Sequence, residues 1–127
     1  MHRDRVYARW HPIRRSAYVR NEPCPEGLIV YIEAGGNGAI DIARDPWRMR
    51  LAGWFDHANA VLIGRTHAPA SDDFTQRDAV QSAFGDFALP VVLDVDCGHV
   101  PPYLALVNGA LAELTFGSTQ SLVQSLV

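Results

Sequence analysis

Lysine is missing from these 127 residues: all eleven basic side chains are arginine, and six of them lie in the first twenty residues beside a single acid, Asp4. The formal net charge is -3, so the remainder of the chain is acidic. That balance speaks against nucleic acid or an anionic membrane surface as partner. The basic stretch offers only Tyr7, Trp10 and Tyr18 as stacking groups, in no regular spacing, and so lacks the pattern of a nucleic-acid-binding arm. Cysteine is scarce as well. Cys24 and Cys97 are too few for a disulfide framework, and in a cytoplasmic chain both stay reduced. No apolar run approaches the roughly 20 residues that span a bilayer, and MHRDRVYARW has no hydrophobic core of a signal peptide. The expectation is a cytoplasmic protein without repeats or low-complexity tracts.

What the chain does have is apolar content. With 48% hydrophobic residues it can bury the core of one domain, and its length allows no more than one. Pro12 and the Pro23-Cys24-Pro25 cluster oppose a long helix near the start. Residues 1–25 therefore read as an arginine-rich, poorly packed arm, and the domain as residues 26–127.

From Gly27 the pattern is regular. Leu28 to Ile32 is a continuous apolar run of strand-forming residues closed by Glu33 and the loop AGGNG. Asp45-Pro46 reads as a helix start, with the acid as N-cap and proline at the first helical position, and Trp47, Leu51, Trp54 and Phe55 as the apolar face up to about Asp56. Ala60 to Ile63 is a second buried strand, ended by Gly64-Arg65. A second helix starts at Ser71 or Asp72, carries Phe74, Ala79, Val80, Ala83 and Phe84 on one side, and stops at Gly85. Pro90 to Val95 is a third strand and Ala110 to Phe116 a weaker fourth. The tail from Gly117 is expected to fray or to form a last helical turn. Strands alternating with helices in this way indicate an α/β domain with a small, largely parallel sheet flanked by helices. In such sheets the carboxyl ends of the strands share one edge, which places Glu33, Arg65 and His99 together.

That edge suggests chemistry. A glutamate can accept the Nδ1–H of a histidine and hold the ring so that Nε2 is free to take a proton. Glu33 and His99 would then be two members of a nucleophilic triad. The third is not evident, because the chain has no Gly-x-Ser-x-Gly elbow. Cys97 stands two residues from His99, but that spacing on an extended segment points side chains in parallel rather than toward each other. Asp94, Asp96, Cys97 and His99 lie close in sequence as metal ligands do, yet ligands so close seldom complete a site, and the default is the polar lining of a cleft. No metal or cofactor is expected. The Gly35-Gly36-Asn37-Gly38 loop lacks the phosphate-binding fingerprints and reads as a flexible turn. Trp47 and Trp54, seven apart on a helix, read as core, with an exposed Trp47 bordering a substrate or dimer surface as the alternative, while His57 and His67 read as surface.

The ordered set GLIVYIE (Gly27–Glu33), Arg48 to Leu51, Val61-Leu62-Ile63-Gly64-Arg65, Leu89 to Val92, and Gly98-His99 with Pro102, Leu104, Leu106 and Gly109 resembles the C-terminal domain of the LD-carboxypeptidase family. This serine peptidase family includes muramoyltetrapeptide carboxypeptidases and microcin C immunity peptidases. The similarity runs over roughly residues 26 to 116. It implies a swivelling β/β/α domain that supplies Glu33 and His99, with a separate N-terminal domain bringing the serine and the oxyanion hole. It also implies substrates that are L,D-peptide bonds of peptidoglycan stem peptides or peptidyl and aminoacyl nucleotides of the microcin C type. It implies no metal, and often a homodimer.

The nucleophile domain is not found in this sequence, and an arginine-rich stretch replaces the glycine-rich linker of relatives. A truncated gene, a shifted frame or a mis-set start would each produce that. The expectation is a chain that is inactive alone, with His99 as base and then acid, Glu33 orienting it, and Arg65 a weaker candidate for holding a substrate carboxylate. The alternative is a non-catalytic remnant that works as a binding or dimerisation module.

Overall fold

The computed structural model describes residues 5–12 as a strand, by backbone and pairing, and residues 27–33, 38–67 and 69–125. Its elements are β1 (Arg5–Pro12), β2 (Leu28–Ile32), α1 (Ala39–Leu51), β3 (Ala58–Gly64), α2 (Gln76–Phe84), β4 (Val91–Val95), β5 (Leu111–Thr115) and β6 (Ser121–Ser125). The strands form one sheet in the order β4-β3-β2-β1-β5-β6. Strands β4, β3, β2 and β1 are parallel to one another, β5 is antiparallel to β1, and β6 is antiparallel to β5.

The apolar runs become strands buried on both faces, with successive side chains going to opposite sides. Leu28 and Val30 of β2 and Val61 and Ile63 of β3 face α1 and α2, where they pack on Ile42, Ala79, Val80, Ala83 and Phe84. The intervening Ile29, Ala60 and Leu62 face the other way and pack with Ala110, Ala112 and Leu114. Leu114 lies on β5, two strands away from β2 in the sheet order, so this contact requires the sheet to curl over itself. The result is three layers, two formed by the curled sheet and one by the helices, and the helices cover a single face.

The helix boundaries depart from the sequence reading. Helix α1 starts at Ala39 rather than at Asp45, with Pro46 in its interior. Its buried residues are Ala39, Ile42 and Pro46, at the three- and four-residue spacing of one helix face, while Leu51 is 83% exposed and Trp47 39%. Packing of that earlier face on the sheet outweighs the start signal of Asp45-Pro46. The C-terminal end of the expected helix is a turn in which Phe55 is buried.

Helix α2 begins at Gln76, not at Ser71 or Asp72. Thr75 and Asp78 form a reciprocal capping box there, whereas Ser71 and Phe74 exchange backbone hydrogen bonds in a tight turn. Within the tail, Ser121–Ser125 is neither frayed nor helical, because it pairs with β5 along its whole length. The stretch expected to be a loose arm contains β1, paired with β2 on one edge and β5 on the other, so the sheet begins upstream of residue 26. Residues 13–26 and the Gly35–Asn37 part of the glycine loop lie outside the described residues. No helix among those described is long and apolar enough to cross a membrane.

Candidate active site

Parallel strands bring their carboxyl ends to one edge, and three of them end in the residues of interest. Glu33 follows β2 directly, Arg65 follows β3, and His99 lies on the loop that leaves β4. His99 Nδ1 and Glu33 Oε2 are 2.8 Å apart, with the histidine side chain 67% exposed and the glutamate 35%. That is the distance of a charge-assisted hydrogen bond in which the ring N–H donates and the carboxylate accepts. The exposure leaves the other ring nitrogen open to a group arriving from outside. Behind Glu33 is a narrow cavity of about 50 Å³ lined mainly by Ile32, Ile42, Pro46, Ile63 and Val80, so one side of the carboxylate adjoins apolar surface.

Local backbone makes the pairing possible. Gly98 sits at φ 115°, and a Cβ there would come within 2.6 Å of Glu33 Oε2. Just upstream, β4 carries one residue more than β3 between paired positions, Leu62 facing Val92 and Gly64 facing Val95, and Asp94 in this bulge has φ 56°. The bulge ends the strict alternation of the strand, and Asp94 and Asp96 both line the cavity between the β4 side and the β5-β6 side of the sheet.

Cys97 is buried, and burial first, then the nearby Glu33 charge, pushes its thiol above the ordinary value. A thiol shifted in that direction is protonated at neutral pH and is a poor nucleophile. With His99 Nδ1 on Glu33, a Cys97-His99 dyad has no support. Among the described residues no three His, Cys, Asp or Glu side chains form a group that could hold a metal ion.

Arg65 is brought to the same edge, but its guanidinium faces Asp96, with which it forms an ion pair, and the Pro101 carbonyl oxygen at 3.2 Å. Asp96 and Pro101 escaped the sequence reading as structural partners. The available signal was the glycine before Arg65: a Cβ on Gly64 would meet the Cys97 carbonyl oxygen at 2.4 Å, so strand end and loop are in close approach. His57 and His67 are exposed, as expected. Trp47 is not core; its ring lies under the Arg50 guanidinium, 4.8 Å from the ring centre.

Beyond His99 the loop is long and apolar, and polar anchors hold it. The Gln124 side chain accepts from Val107 N at 2.9 Å and donates to Ala105 O at 2.8 Å, and Tyr31 Oη donates to Asn108 Oδ1 at 2.9 Å.

Residues 13–114 match the family described as LD-carboxypeptidase C-terminal domain. Among solved structures, the microcin C7 self immunity protein in an inactive-mutant apo state superposes with a TM-score of 0.76 at 17% identity, covering 96% of this chain and 39% of that one. The same protein in complex with glutamyl sulfamoyl guanosine gives the same values. Muramoyltetrapeptide carboxypeptidase from Oxalobacter formigenes superposes with a TM-score of 0.71 at 14% identity, covering 91% of this chain and 44% of that one. This chain thus spans less than half the length of either protein. A search of curated proteins found no match.

Proposed function

This chain belongs to the LD-carboxypeptidase family, as its C-terminal domain, and from that premise we propose that it supplies the glutamate and histidine of a Ser-Glu-His triad. The observation that carries the proposal is the 2.8 Å contact between His99 Nδ1 and Glu33 Oε2 at the carboxyl edge of the parallel strands. In this reading the serine and the oxyanion donors stand on an N-terminal nucleophile domain. His99 Nε2 takes the serine proton as the hydroxyl attacks the scissile carbonyl, Glu33 stabilises the imidazolium, and the same proton then passes to the leaving amine.

The substrates are L,D-peptide bonds of peptidoglycan stem peptides or the amide bond of microcin C-type peptidyl and aminoacyl nucleotides. The fold relatives support this pair of classes, one being a muramoyltetrapeptide carboxypeptidase and the other having been solved with glutamyl sulfamoyl guanosine and aspartyl sulfamoyl adenosine. A cytoplasmic place in peptidoglycan recycling or in microcin immunity fits either. Tyr103, Leu104 and Val107 stand exposed on the loop after His99. This apolar surface suits contact with the nucleophile domain or with a second copy of the chain.

The test is turnover of a stem tetrapeptide and of an aminoacyl sulfamoyl nucleoside by the purified chain, alone and with the serine domain of a relative added in trans. No turnover alone, and turnover in trans that falls by a factor on the order of 10³ in His99→Ala, is the expected result. Turnover by the chain alone that depends on His99 would refute the assignment of the serine to another domain. No turnover in either arm favours the remnant, a binding or dimerisation module.

A further inference from the structure

The geometry points to Arg65 as the positioning residue for His99, a staple that closes the loop carrying the histidine rather than a ligand for substrate. This rests on the reading of Glu33 and His99 as the catalytic pair and adds the element that holds it in register.

The loop from Asp96 to Pro101 leaves β4 and carries Gly98-His99 in its middle. Arg65 meets both ends of it with different nitrogens: Nη2 pairs with the Asp96 carboxylate, and Nη1 donates to Pro101 O at 3.2 Å. Its backbone N–H adds a third anchor, donating to Val95 O at 2.9 Å, at the last residue of β4. Gly64 lets the loop approach, since any side chain there would collide with the Cys97 carbonyl. One residue pair, Gly64-Arg65, thus seats the loop on the end of β3, and Glu33 from β2 meets the ring it presents.

A planar guanidinium suits this task because it reaches two acceptors at fixed angles, which an ammonium does not. The same contacts argue against substrate binding by Arg65. Taking a substrate carboxylate would require release of Asp96, leaving that charge without its partner. Without the Arg65 side chain both ends of the loop lose a tie to β3 and the loop gains conformational freedom, leaving the 2.8 Å contact and the backbone bonds from Arg65 N and Cys97 N to Val95 O to order it. Placement of a base within a few tenths of an ångström is what such supporting contacts provide.

The readout is the tautomer of His99, from ¹⁵N NMR of the full chain labelled at histidine, because a merely structural role for Arg65 would not move it. Wild-type His99 is expected in the Nδ1–H form that Glu33 selects. Arg65→Met is expected to lose that form in favour of Nε2–H while the amide shifts of β2 and β3 persist. Arg65→Lys, which keeps the charge but not the fork, should restore part of it. Arg50→Met serves as the comparison, since Arg50 binds Asp86 through two nitrogens at 2.7 and 2.6 Å away from the site. It is expected to lower the melting temperature and leave His99 unchanged.

An Arg65→Met chain with the wild-type His99 signature overturns the proposal, as does an Arg50→Met chain that loses the Nδ1–H form equally. If Arg65→Met does not fold, Asp96→Ala carries the test: it removes the ion pair and leaves the Pro101 contact. An unchanged His99 signature in that variant overturns the proposal. A wild-type His99 that lacks the Nδ1–H form refutes the Glu33–His99 pair itself, which separates the failure of that reading from the failure of this one.

Discussion

At the scale of single residues, the site depends on positions that carry no reactive group. Gly98 is the clearest. Its φ of 115° and the 2.6 Å that a Cβ would leave to Glu33 Oε2 make glycine the fitting residue there. Gly98→Ala is expected to cost about 1 to 3 kcal/mol through backbone strain, and to push the carboxylate off His99. Thermal denaturation reads the first effect, and loss of the Nδ1–H signal of His99 reads the second. Cys97 illustrates the opposite case, a reactive group made inert. Burial and the Glu33 charge keep its thiol protonated, so a thiol reagent at neutral pH is expected to modify Cys97 slowly in the folded chain and quickly in the denatured one, read at that residue by peptide mass mapping.

At the scale of elements, α2 is defined by its first turn. The Thr75 hydroxyl accepts from Asp78 N, and Asp78 Oδ2 accepts from the Thr75 backbone N–H at 2.8 Å and from its hydroxyl at 2.6 Å. Thr75→Ala is expected to destabilise the fold by about 1 kcal/mol, as loss of an N-cap does, measured by urea denaturation. The hydrogen bonds from Thr75 hold the Asp78 carboxyl below its ordinary value, and the bond from Arg50 does the same for Asp86. A carboxylate with a lowered folded-state pKa stabilises the fold above its unfolded value, near ~3.9, and that contribution is lost as the pH falls through the folded value. The destabilisation caused by Thr75→Ala is therefore expected to shrink between pH 5 and pH 3. A difference that stays constant across that range would show that Asp78 is not part of the cap.

At the scale of the molecule, the curl of the sheet makes the two β layers. It brings Leu62 of β3 into one cluster with Leu114 of β5 and Leu122 of β6, although β2 and β1 intervene in the sheet. Leu62 is 1% exposed. Leu62→Ala is expected to cost about 3 kcal/mol from lost transfer energy and the cavity left behind, read as a fall in the denaturation midpoint with an unchanged slope. The curl is not complete. A cavity of about 410 Å³ remains between the β4 side and the β5-β6 side, lined by Leu62, Val92, Leu114 and Leu122 among others. Gln124, on β6, fixes the loop that follows His99 by bonding Ala105 and Val107. The outermost strand thereby steadies the apolar surface next to the candidate pair.

Much of this was readable along the chain, and for a local reason. Strands buried on both faces must be short continuous apolar runs, so Leu28–Ile32 and Ala60–Ile63 could be placed to within two residues. Parallel strands share a carboxyl edge, so the sequence alone gathers Glu33, Arg65 and His99 there. What depends on contacts between distant segments could not be read. The buried face of α1 is set by the sheet beneath Ala39, Ile42 and Pro46, which overrides the start signal at Asp45-Pro46. A weakly patterned SLVQS becomes β6 because β5 offers it an open edge. Arginine-rich RVYARWHP becomes β1 because two strands stand ready on either side. The destination of the Arg65 guanidinium was hidden for the same reason, since Asp96 and Pro101 reach it only after the chain has crossed α2 and β4.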